Sequence, residues 1–294
     1  MAVYEDPSGL YGADPDYEDW ASSGSGKNLN LGFAYEGKLY NQYRDIGMIP
    51  VGFSPAGADS TAADLELWVP KYNSATVRQP KQGAKLKIEV KLNPNADYGQ
   101  ASLTHNGSSW SLSGKNTPEA MEMRRLLNSM NVVSQINRVW PGKPNLFNYS
   151  NSKQVSEEEK KADLEKYKSS YITGDGFARA FSTYYSSKGV NYIQIGGYGL
   201  YYLNRDPNGL RHLGATKFLN SGASMRLRIR TKGSASQGTY RFSTALLMDK
   251  FPRVSGFDLD NREDEDRIHW DGVDCINAPS PLTRQRNSPL NPSN

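Results

Sequence analysis

The chain has 294 residues, a length that suits one large domain or two modest ones. An aromatic content of 11% supplies core material that a wholly disordered chain lacks, and no window reaches the ~18 consecutive apolar residues of a membrane helix. The single Cys275 excludes an internal disulfide and a Cys-rich zinc module. The net charge of +4 hides an uneven distribution: residues 1–20 and 257–274 each carry −6, residues 275–294 carry +2, and +14 is left for residues 21–256. A basic body between acidic flanks suits a polyanionic partner. His105, His212 and His269 lie far apart and show no HExxH spacing. The first twenty residues have neither a basic start nor an apolar stretch, so a signal peptide is not expected and a cytoplasmic protein is the default.

Residues 1–29 read as an acidic flexible tail, ending in the linker Ala21 to Gly26. Gly24-Ser25-Gly26-Lys27 is not a phosphate loop, because Ala21 stands where the first Gly belongs and Asn28 replaces Ser or Thr. A first half, residues 30–150, opens with a helix over Leu31–Ile46, stopped by Gly47. Strands are predicted at Ile49–Phe53, Asp64–Val69, Leu86–Leu92 and Ser109–Leu112. Thr117-Pro118-Glu119 opens a second helix, and Val132–Trp140 reads as a strand. Residues 141–155 form a connector to a second half, residues 151–277. There Ser156 to about Ile172 and Phe177–Tyr185 read as helices. Val190–Ile195, Gly199–Leu203, Met225–Lys232 and Tyr240–Leu247 read as strands, and residues 278–294 as a second tail. The order predicts a mixed α/β (α+β) architecture with a β-rich C-terminal part.

The chemistry concentrates between Glu36 and Gln100. On a strand, Leu86, Ile88, Val90 and Leu92 face a core, and Lys87, Glu89 and Lys91 face the other way. Leu65 and Leu67 likewise leave Asp64 and Glu66 on the opposite face. If these two strands pair, Asp64 approaches Glu89. A hard divalent cation such as Mg²⁺ relieves the repulsion of two such carboxylates, and Lys91 beside it can orient water or stabilise charge on a phosphate. Glu66 is an alternative acid on the same face, and Asp59 and Asp97 read as turn residues.

An Asp on one strand followed by Glu-x-Lys on the next resembles the PD-(D/E)xK nuclease superfamily over about residues 30–140. Ala62-Ala63-Asp64-Leu65 matches the first motif with Ala63 in place of Pro, and Glu89-Val90-Lys91 matches the second. Glu36 lies on the preceding helix, and Gln100 falls where many members begin a helix carrying a Gln. The resemblance implies a restriction-endonuclease-like sheet flanked by helices, Mg²⁺ (or Mn²⁺) held by Asp64, Glu89 and the Val90 carbonyl, and hydrolysis of DNA, as an endonuclease rather than an exonuclease. Glu36, Asp64, Glu89, Lys91 and Gln100 are the catalytic set it implies. The general look, a compact nuclease half with unusual tails, resembles phage-encoded nucleases, which act in host cytoplasm, and pairing of two sites in a homodimer is common in the superfamily. The competing class is a non-enzymatic DNA-binding or virion-associated structural protein.

In the second half, Arg226, Arg228, Arg230 and Lys232 alternate with apolar residues and would form a basic stripe able to follow a phosphate backbone, unless acids of a neighbouring strand pair with them. Gly196-Gly197-Tyr198-Gly199-Leu200-Tyr201 reads as strand core with a glycine bulge, and alternatively as rings for stacking on bases. Lys160, Lys161, Lys166 and Lys168 balance nearby acids on a solvated helix face. The acidic N-terminal tail reads as a solubilising segment or a dock for a protein partner.

Overall fold

The alternation of apolar residues builds the first sheet. A computed structural model describes residues 31–50, 52–55, 63–71, 79–146, 155–234 and 239–270. In it, strand β1 (Leu65–Lys71) buries Leu65, Leu67 and Val69, and β2 (Gln79–Lys91) buries Leu86, Ile88 and Val90. All six pack with Tyr35, Leu39 and Tyr43 of helix α1 (Leu31–Asp45). β1 and β2 are antiparallel, with Leu65 opposite Ile88. Past the intervening chain, β6 (Tyr192–Ile195) joins β2 in parallel, β7 (Gly199–Tyr202) turns back against β6, and β8 (Thr216–Lys217) runs parallel to β7. The sheet order is β1-β2-β6-β7-β8.

The second sheet is antiparallel throughout, in the order β4-β3-β10-β9-β5. Its strands are β3 (Gln100–His105), β4 (Trp110–Ser113), β5 (Ser170–Thr173), β9 (Ser224–Ser234) and β10 (Thr239–Lys250). Leu103, Leu227, Ile229, Phe242 and Leu246 form its buried face, under helices α2 (Pro118–Ser129), α3 (Val132–Val139) and α5 (Phe177–Ser187). Phe177, Phe181 and Tyr185 of α5 share that core with Ile193 and Ile195 of β6, so the helix ties both sheets together. Each such fully buried side chain contributes roughly 1.5–3 kcal/mol. Trp110, Trp140, Tyr167 and Phe242 meet largely edge to face, and Trp110 Nε1 donates to the Trp140 carbonyl at 2.8 Å. Helices α4 (Glu157–Lys166) and α6 (Arg262–Trp270) complete an α+β fold of six helices and two sheets among the described residues.

Each sheet takes strands from both sides of residue 150, so the expected boundary there separates neither two sheets nor two cores. Where a strand over Val132–Trp140 was expected, Val132–Val139 is a helix: Val132 and Ile136 are its buried residues, four apart on one helix face, and Asn131 breaks it from α2 with a left-handed φ of 57°. The helix from Ser156 stops at Lys166, because Tyr167 turns into the aromatic cluster and Ile172 enters the sheet through β5. Lys160 departs from the solvated face as well, being buried and bonded to Glu157 at 2.6 Å. Of the expected strand at Ile49–Phe53, Val51 lies outside the described residues, and the others form no strand: the Phe53 N–H bonds to the Pro50 carbonyl at 3.1 Å. The acidic stretch after Phe257 is anchored by Phe257, Leu259 and Ile268, all fully buried.

Two glycines of the Gly196–Gly199 run are required by their surroundings. A Cβ on Gly196 would lie 2.1 Å from the Leu92 carbonyl oxygen, and Gly199 has φ +90°. Leu200 and Tyr201 are fully buried, as the strand-core reading expects. Residues 1–30, Asp59 and residues 271–294 lie outside the described residues, and so does the side chain of Lys232.

Candidate active site

The antiparallel register of β1 and β2 continues past Leu65 to set Asp64 beside Glu89. Asp64 Oδ2 accepts the Val90 N–H at 2.8 Å, which fixes its carboxylate at the end of the sheet. The N–H and C=O of one strand residue leave by the same edge, so the Val90 carbonyl also faces Asp64. Lys91 Nζ donates to Glu89 Oε1 at 2.5 Å and lies 3.8 Å from Asp64 Oδ2. Glu36 joins them from α1, and Glu36, Asp64 and Glu89 are all buried. Four of the five residues predicted from sequence therefore come together.

The fifth, Gln100, lines the same cleft but opens strand β3 and not a helix; its amide donates to Asp97 at 2.8 Å. Gly99, at φ +144°, leads directly into the pairing of β3 with β10, which leaves no room for a helix there.

Helix α5 and the residue that caps its C-terminus supply two groups that sequence reasoning missed. Tyr185 OH donates to Glu89 Oε1 at 2.9 Å, and Lys188 Nζ lies 3.8 Å from Glu89 Oε2 with its side chain 4% exposed. The helix itself was predictable; its approach to a strand 96 residues earlier depends on tertiary packing, for which the sequence carries no local signal.

Electrostatics reflect three acids sharing a dry site. Burial, reinforced by the Asp64 charge, pushes the Glu36 carboxyl up to about 9 against the pull of Lys91. Burial and the Glu89 charge push Asp64 up to about 7. Burial works against the Lys91 cation, yet Glu89 and Asp64 outweigh it and hold the ammonium charged. Burial and Glu89 raise the Tyr185 phenol well above its usual value, so it stays a donor.

Glu36 Oε2 and Glu89 Oε2 have no hydrogen-bond partner, an arrangement buried carboxylates rarely tolerate. No three His, Cys, Asp or Glu side chains among the described residues gather tightly enough to enclose an ion alone. The donor set instead fits an ion that takes one or two carboxylates and fills its remaining positions with water and phosphate oxygens, which is the preference of Mg²⁺. The site opens into a cleft of about 450 Å³ that is also lined by Ser102, Ser113, Arg241 and Ser243 of the second sheet.

On that second sheet, the arginines of the predicted basic stripe lie on β9, but their charges are answered within the fold. Arg228 and Arg230 reach Asp97 at 2.8 and 3.4 Å, and Arg226 reaches Asp249 at 3.5 Å. No helix among the described residues is long and apolar enough to cross a membrane. Comparison with protein-family models, curated proteins and solved structures found no match.

Proposed function

We propose that this chain is a Mg²⁺-dependent nuclease that hydrolyses phosphodiester bonds in DNA. The observation that carries the reading is the convergence of Glu36, Asp64, Glu89 and Lys91, from a helix and two paired strands, at the bottom of one cleft. The arrangement of α1, the β1–β2 pair and a parallel β6 is consistent with the resemblance to the PD-(D/E)xK superfamily.

Asp64, Glu89 and the Val90 carbonyl would hold the ion, which when bound supplies Lewis-acid stabilisation and a water of lowered pKa. Lys91, kept charged by its two acids, donates to the attacking water or to a phosphate oxygen as negative charge builds there. Tyr185 and Lys188 hold the Glu89 carboxylate in place. Glu36, held protonated near neutral pH by burial, donates to the water network beside the ion site, and the proton of the attacking water passes to bulk water. Water oxygen joins phosphorus as the bond to the leaving oxygen breaks, with no covalent link to the protein.

The test is cleavage of supercoiled, linear duplex, single-stranded and four-way-junction DNA in Mg²⁺ or Mn²⁺, with Glu89→Ala and Lys91→Ala beside wild type. Cutting by wild type, reduced about 10²–10³-fold in either variant, is expected. No cutting of any substrate by folded wild type would leave a non-enzymatic DNA-binding or structural role.

A further inference from the structure

We infer that the open face of the second sheet at β10, β3 and β4 is a track for the sugar-phosphate backbone of duplex DNA, leading into the Glu36–Asp64–Glu89 site. It rests on the nuclease reading only for the chemistry at the end of the track.

The register builds the track. Ser243 of β10 pairs with Ser102 of β3, and Ser102 pairs with Ser113 of β4. Directly paired residues share a face, so the three hydroxyls stand side by side, ~4.8 Å from strand to strand. This is the face opposite Leu103, Phe242 and Leu246, which are buried in the core. All three serines line the cleft that holds the acids.

Cations border the row. Arg241 lies two residues before Ser243 on the same face, Lys115 follows β4, and Arg124 projects from α2; all three line the cleft. Arg241 and Lys115 are exposed, and none of the three has an acidic partner among the described residues. They differ in this from Arg226, Arg228 and Arg230.

Arg, Lys and Ser are the side chains that contact phosphate oxygens without reading sequence. Single strands are gripped by stacking on exposed rings. Among the described residues, the exposed ring on this face is Tyr171, opposite Arg228, and the Arg226 guanidinium lies over it at 4.0 Å. A backbone with its bases already stacked is the ligand this chemistry suits.

The experiment measures anisotropy of a short labelled duplex with the full chain in EDTA, over a series of salt concentrations. Arg241→Ala and Lys115→Ala should each weaken binding about 3- to 10-fold and lower the slope of log affinity against log salt by ~0.9, one phosphate contact each. Lys161→Ala, exposed on α4, should leave both unchanged. Unchanged slopes in both cleft variants, or tighter binding of a single strand of equal length, would overturn the proposal. Because no cleavage occurs in EDTA, the result is independent of activity. An inert wild type with falling slopes would sink the nuclease reading and keep the track. Normal cleavage with unchanged slopes would do the reverse.

Discussion

Tyr185 and Glu89 lie 96 residues apart in the chain, and the phenol of one donates to the carboxylate of the other at 2.9 Å in a buried contact. Helix α5 thus sets the angle at which a strand carboxylate enters the site. Tyr185→Phe keeps the ring in its aromatic packing and removes only this bond. A hydrogen bond to a charged group contributes about 1.5–3 kcal/mol, and denaturant unfolding should show a loss of that order. The Mg²⁺ concentration needed for half-maximal cleavage should rise, while a purely structural hydroxyl would leave it unchanged.

Lys188 is nearly sealed from solvent beside Glu89, over the rings of Tyr184 and Tyr185 at 5.6 and 5.0 Å. Lys188→Met keeps the apolar stem and deletes the charge. Three acids then share one ammonium, so the metal-free protein should melt lower. The rise in Tm on adding Mg²⁺ should be larger than in wild type, because an added cation now relieves more repulsion. An equal rise in both proteins would show that Lys188 has no electrostatic part in the site.

The raised carboxyls make stability depend on pH. An acid with a higher value in the folded chain than in the unfolded one adds stability that is complete below the unfolded value and is lost as pH climbs through the folded one. That window runs from 3.8 to about 7 for Asp64 and from 4.5 to about 9 for Glu36. In EDTA, Tm should therefore fall as pH is raised from 5 to 9. Glu36→Gln should flatten the upper part of that decline, and Mg²⁺ should reverse it. A wild-type Tm that is level across the range would mean the acids are not as dry as the fold makes them.

Gly196 meets the end of β2 so closely that its N–H bonds to the Lys91 carbonyl at 2.9 Å while a Cβ would strike Leu92 O. The obstacle is backbone, which cannot rotate aside. Gly196→Ala should destabilise the protein by roughly 3 kcal/mol, read from denaturant midpoints, by forcing β6 away from β2. Cleavage should fall with it, since Lys91 sits at that junction.

The strand alternation at Leu65–Val69 and Leu86–Val90, the capped start of α2 at Thr117 and the Asp64/Glu89-x-Lys91 spacing were readable in the sequence, because each depends on neighbours a few residues away. Alternation alone placed Asp64 and Glu89 on one face, and pairing of the two strands then brought them together. The strand expected at Val132–Trp140 is a helix over Val132–Val139 because a short apolar run fits either until its partners are known. The arginine stripe on β9 was readable as a pattern, whereas its pairing with Asp97 and Asp249 was not, since those acids arrive from distant segments.

The local elements and the types of residue available for chemistry were thus legible before any fold was known. Tertiary structure decided which of them share a cleft: Tyr185 and Lys188 behind Glu89, and Arg241, Lys115 and the row Ser243, Ser102, Ser113 facing it. The physical reason is that periodicity is imposed by the backbone one turn or one pleat at a time, while strand order and helix docking are set by burial of apolar surface between segments far apart in the chain.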